Sequence, residues 1–341
     1  MKFNEVFIFS PTDIVSGGVN SLHILCKSLI NNHIKVRMFY ENPSSDFLNN
    51  PIIKAFNVPY TSHLEDISSN LLIVPEAMTS MLQHYKQINK MVYWLGIYFY
   101  FKKPAYRFPL NFKPLRKIFT CTDYFGNSRS FFHTLAKKIN YWNKKHDPIW
   151  SNGTLHMSNS FYAADFIKSM GVQNVFVLHN PIRQEYYNQE PSSIRLKKIL
   201  FGPKTPKWVF RKIKTENADF ECIRLKHIAA AEVKKLYGEA QLFVELGNFA
   251  GRDRMPREAV LSGCVILSSR NGSANYYNDL QLPDYYKINT HQKYTADLIE
   301  KTKNITGNYT SHYANMKPYV DYLIEENQNF DKVVSEIFER I

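Results

Sequence analysis

The sequence predicts an α/β protein made of two doubly wound, Rossmann-like halves. Three observations carry this reading. Short apolar runs alternate with stretches of helical spacing, the pattern that builds parallel sheets covered by helices. The alternation pauses at a Pro- and Ser-containing stretch, 181–195, and then restarts. The length of 341 residues is more than one hydrophobic core usually holds and suits two domains.

Each element follows from its residues. "EVFIFS" (5–10) reads as a buried strand. "GVNSLHILCKSLINN" (18–32) sets Val19, Leu22, Leu25, Cys26 and Leu29 at helical spacing. "IKVRMFY" (34–40), "NLLIVPEAM" (70–78) and "KMVYWLGIY" (90–98) read as strands, the second running into a loop. "LHMSNSFYAADFIKSMG" (155–171) starts in a loop and continues as a helix closed by Gly171. "VFVLHNP" (175–181) ends the first half. In the second half, "KKILFGP" (197–203), "ADFECIRL" (218–225), "QLFVEL" (241–246) and "CVILSS" (264–269) read as strands. Between them lie helices at "PKWVFRKI" (206–213), "AAAEVKKLYGEA" (229–240) and "PREAVLSG" (256–263). The chain ends in one or two amphipathic helices. No internal repeat is visible.

Composition narrows the function. With 44% hydrophobic and 21% charged residues, the chain is globular. A formal net charge of +13 points to an anionic partner. Cys26, Cys121, Cys222 and Cys264 stand singly, which argues against a zinc site or a disulfide framework and fits a reducing cytoplasm. "MKFNEVFIFS" reads as a first strand and not as a signal peptide. "MVYWLGIYFYF" (91–101) is too short to span a bilayer. The expected location is the cytoplasm, with peripheral contact to the inner membrane open. The histidines show no HxxxH or HExxH spacing and D-x-D is absent, so no metal is expected, and no cofactor. The glycine patterns of a nicotinamide-binding loop and of a P-loop are also absent.

The chemistry-bearing stretch is "GRDRMPREAVLSGCVILSS" (251–269). Charged side chains are rarely buried unless paired. Arg252, Asp253, Arg254, Arg257 and Glu258 are therefore either a solvated loop or a site for an anion joined to a polar group. "FGPKTPKW" (201–208) follows a strand and opens a helix, so Lys204 and Lys207 stand near free backbone N–H groups, a natural phosphate site. An ordinary lysine loop is the alternative. "NGSANYYND" (271–279) sets Gly272, Ser273 and Ala274 after a strand, as a backbone anion loop or as a plain turn. Gly17 and Gly18 in "SGGVNSLHIL" let backbone approach a ligand or simply turn. Glu76 in "VPEAM" is a base, an acceptor-binding carboxylate or a helix cap. Ser158 and Ser160 stand at a helix start, with N-capping first and ligand contact second.

The run "DRMPREA" (253–259), followed by "GSA" (272–274) and "YYKI" (285–288), resembles GT-B glycosyltransferases. It is most similar to a "DRxPREA" group encoded in bacterial capsule and O-antigen loci. "SGGVNSLHIL", "VPEAM", "YWLG", "SNSFYAADFIKSMGV" and "FGPKTPKW" have counterparts there too. The resemblance implies two Rossmann-like domains facing across a cleft: residues 1–185 for an acceptor, 186–315 for a nucleotide-sugar donor, and C-terminal helices, 316–341, crossing back to the first domain. It implies that a sugar moves from a nucleotide sugar to a hydroxyl of a glycan or lipid-linked glycan. Glu258 would accept hydrogen bonds from the ribose hydroxyls. Lys204, Lys207, Asp253, Arg254, Arg257, Gly272, Ser273 and Ala274 would surround the donor. Gly17, Gly18 and Ser160 would line the cleft, and Glu76 would be the catalytic candidate. Many relatives carry a second Glu eight positions before the ribose-binding one. That position is Ala250 here, so a partner carboxylate is Glu245 or Asp253, or is absent. An epimerase or phosphorylase on the same fold, and a non-catalytic binder of anionic polymer or membrane, are the rival readings.

One segment stands apart. Residues 99–150 interleave bases such as Lys102, Lys103, Lys113, Arg116 and Lys117 with aromatics such as Phe108 and Phe112. Such a surface suits an anionic membrane, or it is an aromatic core under a solvated basic face. Nucleic acid is set aside, because the other motifs point to a nucleotide sugar.

Overall fold

The computed structural model describes residues 3–102, 147–151, 153–188 and 194–341. The expected basic-aromatic positions Lys103, Phe108, Phe112, Lys113, Arg116 and Lys117 lie outside the described residues. The chain packs as two units, Met1–Asn180 with Asn329–Ile341, and Pro181–Gln328.

The first unit is a parallel sheet of β1 (Glu5–Phe9), β2 (Val36–Phe39), β3 (Tyr60–Thr61), β4 (Asn70–Pro75), β5 (Asn89–Trp94), β6 (Thr154–Ser158) and β7 (Val175–Val177). Its order is β3-β2-β1-β4-β5-β6-β7. Its helices are α1 (Gly17–Asn31), α2 (Pro51–Phe56), α3 (Ile97–Lys102) and α4 (Phe161–Ser169). Ser16 starts α1 by accepting a hydrogen bond from Val19 N–H, and Val19, Leu22, Leu25, Cys26 and Leu29 are buried.

The stretch 155–158 is strand β6, not the expected loop, in register with Met91–Trp94 of β5. Its polar residues hid it. His156 is fully buried, accepting from Trp94 Nε1 at 3.0 Å while Nε2 lies 2.9 Å from the Ile149 carbonyl. Burial lowers the imidazole to about 4, so it is a neutral structural group.

The second unit is also parallel: β8 (Lys198–Phe201), β9 (Glu221–Arg224), β10 (Leu242–Glu245), β11 (Val265–Ser269) and β12 (Lys287–Ile288), in the order β12-β11-β10-β8-β9. Its helices are α5 (Lys207–Glu216), α6 (Ala230–Glu239), α7 (Arg254–Leu261), α8 (Thr295–Gly307) and α9 (Tyr309–Ala314). Arg195 fastens two helix ends. Its guanidinium donates to the carbonyls of Tyr237 and Gly238 near the end of α6 and to Ser262 after α7. Those are terminal carbonyls that a helix cannot satisfy itself.

The last helix, α10 (Lys317–Arg340), is continuous. Tyr319, Val320 and Leu323 join the core of the second unit, while Phe330, Val334, Ile337 and Phe338 join that of the first. Among the described residues no helix is long and apolar enough to cross a membrane.

Candidate functional site

In open parallel sheets, ligands bind beyond the carboxyl ends of the strands, where the strand order reverses. The second sheet reverses between β8 and β10, which are paired in register from Leu242↔Ile199 to Val244↔Phe201. The loops leaving these two strands carry "GPKTP" and "LGNFAGRD". The topology therefore brings Lys204 and Asp253 to the same switch point.

Their geometry is specific. Lys204 Nζ pairs with the Asp253 carboxylate and donates to the Asn248 carbonyl at 3.2 Å. Asp253 stands at the N-cap of α7, yet its side chain does not cap the helix. Arg224 donates to the carbonyls of Pro203 and Thr205 at 3.0 and 2.9 Å, drawing the acceptors of this loop to one side. Lys207 is exposed at the first position of α5.

The charges of α7 divide by side. Arg254 and Glu258, four residues apart, share a helix face. Glu258 is 6% exposed, and among the described residues nothing donates a hydrogen bond to its carboxylate. Burial raises its pKa, and Arg254, Arg183 and Arg257 oppose the rise. Arg257 points the other way. It is 1% exposed, and its guanidinium donates to the Arg252 carbonyl at 2.9 Å and the Asp253 carbonyl at 3.2 Å. Arg252 is buried too, pairing with Glu326 of α10 and donating to the Asp279 carbonyl. Pro256 falls in the first turn of α7, where no N–H is needed.

The Gly272–Ala274 loop is joined to the one above it. Ser273 Oγ donates to the Gly251 carbonyl at 2.6 Å and Ser273 N–H to Phe249 at 3.1 Å. Ser273 and Ala274 are buried, so this amide and hydroxyl build the site. Gly272 has φ +63°, and a Cβ there would stand 2.0 Å from the Phe249 oxygen.

One residue outside the expected donor set lies at the centre. Glu245 ends β10, 2% exposed. Its carboxylate receives Gly247 N–H at 3.2 Å, Lys204 N–H at 3.5 Å and faces Thr205 Oγ1 at 3.3 Å. A Cβ on Gly202 would stand 1.9 Å from its Oε2. The glycines that leave room for it, Gly202 and Gly247, come from two different loops, so the only signal in the sequence was a Glu at the end of an apolar strand.

The first sheet reverses between β1 and β4. The loop after β1 leads to Gly17 and Gly18 in the first turn of α1, and Glu76 directly follows β4. Glu76 is buried and accepts a hydrogen bond from Leu95 N–H at 2.9 Å. Burial pushes its pKa up to about 7, against hydrogen bonds from Leu95 and Gly96 that lower it. Ser160 is fully buried, its hydroxyl accepting from Ala163 N–H as the cap of α4.

No protein-family model matches the chain, and no curated protein matches it in sequence. Solved structures match over its full length. HepE of Anabaena, in complex with UDP-glucose, is 9% identical at a TM-score of 0.59, covering 99% of this chain and 100% of that one. A glycosyltransferase of Rickettsia africae is 10% identical at 0.57, covering 99% and 98%. WaaG, a glycosyltransferase involved in lipopolysaccharide biosynthesis, is 11% identical at 0.55, covering 98% of each. The fold is thus the α/β, GT-B fold of these glycosyltransferases.

Proposed function

We propose that the protein is a glycosyltransferase that moves a sugar from a nucleotide-sugar donor to a hydroxyl of a glycan or lipid-linked glycan in surface polysaccharide synthesis. One observation carries this reading. Glu258 is a buried carboxylate without a hydrogen-bond donor among the described residues, set among cations at the second sheet's switch point. A carboxylate is acceptor-only and takes two hydroxyl donors, which suits a ribose diol. Leaving it unmet is costly, so a ligand supplying those donors gains accordingly.

The donor diphosphate would lie by Lys204, Lys207 and Arg254, over the backbone of 272–274. Those cations would stabilise charge on the leaving diphosphate without a metal. Arg257 and Ser273 would support the site by holding its loops. At the first switch point, Glu76 would accept the proton of the acceptor hydroxyl, beside Gly17 and Gly18. Likeness to HepE in complex with UDP-glucose supports the class of donor, and likeness to WaaG, involved in lipopolysaccharide biosynthesis, supports the surface-polysaccharide setting.

A thermal-shift screen of nucleoside diphosphates and nucleotide sugars tests the donor site. Glu258→Gln should lose most of the shift while keeping the unliganded melting temperature. Equal shifts in both proteins would remove the ribose assignment.

A further inference from the structure

The pair expected to meet a diphosphate is not a free cation. Lys204 is already matched by Asp253, and Glu245 lies buried beneath them. With both carboxylates ionised, this cluster is net negative, a poor seat for an anion. Hydrogen-bond accounting points to how the conflict is resolved. Thr205 Oγ1 has one proton. It lies 3.1 Å from the Val244 carbonyl, an acceptor, and 3.3 Å from Glu245 Oε1, and it accepts from Leu246 N–H at 3.0 Å. An ionised Glu245 competes with Val244 for that proton. A protonated Glu245 donates to Thr205, and every group is then satisfied.

We propose that Glu245 is a proton-linked positioning residue of the donor site: it holds loops 202–206 and 246–249 together and takes up a proton when a diphosphate docks beside Lys204. The proposal rests on the donor-site reading above. The groups facing Glu245 are Lys204 and Thr205 from the loop after β8, Asp253 from the loop before α7, and Tyr237 from α6. Burial sets its pKa at about 7, where Lys204 lowers it and Asp253 raises it. A diphosphate drawing Lys204 from Asp253 strips away the favourable neighbour and adds negative charge. Both changes favour the neutral acid. By linkage, the anion then binds more weakly as pH rises through and above 7, by up to about tenfold per pH unit.

Calorimetry tests this with nucleotide sugars, whose diphosphodiester does not itself titrate near neutrality. UDP-, ADP-, GDP- and dTDP-glucose are titrated into the full chain at pH 7.5, in two buffers of different ionisation enthalpy. The wild type should take up a fraction of a proton per ligand bound, and Glu245→Gln, which keeps the shape and a carbonyl oxygen, should take up none. The variant's affinity should stay level from pH 6.5 to 8.5 while the wild type's falls. Binding without proton uptake, or uptake that persists in the variant, would overturn the proposal while leaving the donor site standing. Binding by none of the four would remove both. If Glu245→Gln does not fold, Asp253→Asn serves: it should shift the wild-type pH dependence to lower pH, and an unmoved profile would count against Glu245.

Discussion

Gly272→Ala tests how closely the loops of the candidate donor site are joined. Gly272 has φ +63° and ψ −135°, where an L residue carries strain of order 1–3 kcal/mol. The new Cβ would also stand 2.0 Å from the Phe249 oxygen and 2.9 Å from its carbonyl carbon. These are backbone atoms, so relief requires the loop to move, and overpacking of this kind costs about 1–3 kcal/mol. Together the loss is roughly 2–6 kcal/mol, or at least about 4 °C in melting temperature for a unit of this size. Gly307→Ala is the comparison within the same unit. It ends helix α8 and a Cβ there meets nothing within 4 Å. Alanine is favoured over glycine in a helix by up to about 1 kcal/mol, so that variant should melt at or above the wild type. Melting of both proteins, with and without a nucleotide sugar, gives the result. A Gly272→Ala protein that melts like the wild type and binds equally well would refute the close approach.

Other outcomes follow from the same geometry. Lys204→Ala and Arg254→Ala should lower turnover at least as much as donor affinity, because their partner's charge grows in the transition state; steady-state kinetics would show it. Arg257→Met should lower the melting temperature by leaving the buried Arg252 carbonyl without its donor, at a cost of about 1–3 kcal/mol. Activity should survive EDTA. Glu76 should give turnover that rises with pH through about 7, since only its ionised form is a base, and Glu76→Gln should abolish that limb. Because its folded pKa lies above the unfolded value, Glu76 also makes folding less favourable as pH rises from about 4.5 to 7, a slope that equilibrium unfolding should find reduced in Glu76→Gln.

Periodicity made the helices and most strands legible. The apolar stripe of α1 and the Gly-closed ends of α4 and α7 follow their residues closely. Strand β6 was not legible, because His156 and Ser158 are polar, and the burial of His156 depends on Trp94, 62 positions earlier in the chain. The same holds at the site. Strand order decides that the loops after β8 and β10 are neighbours, and no local pattern encodes strand order. Glu326, the partner of Arg252, lies 74 positions away. Nothing near either residue announces the pair.

The charges at 252–258 are the clearest case, since one run of sequence does two opposite jobs. A helix places residues four apart on one side and offsets their neighbours. Arg254 and Glu258 therefore share one face of α7, while Arg257 turns back to the carbonyls before the helix. Burying the guanidiniums of Arg252 and Arg257 near each other is unfavourable, and Arg252 lowers the pKa of Arg257 after burial itself does. Such a cost is eased where N–H groups find acceptors and a carboxylate is close; the 252, 253 and 279 carbonyls and Glu326 supply these, although Arg252 Nη2 has no acceptor among the described residues. What the arrangement gains is a loop fixed by groups that face away from the ligand. Arg254 and Glu258 are then held at set positions while the Asp253 carboxylate is left to Lys204 of the neighbouring loop. That division is why a run of charges lies against a buried helix and strand, and why substituting the two buried arginines should disturb folding before it disturbs chemistry.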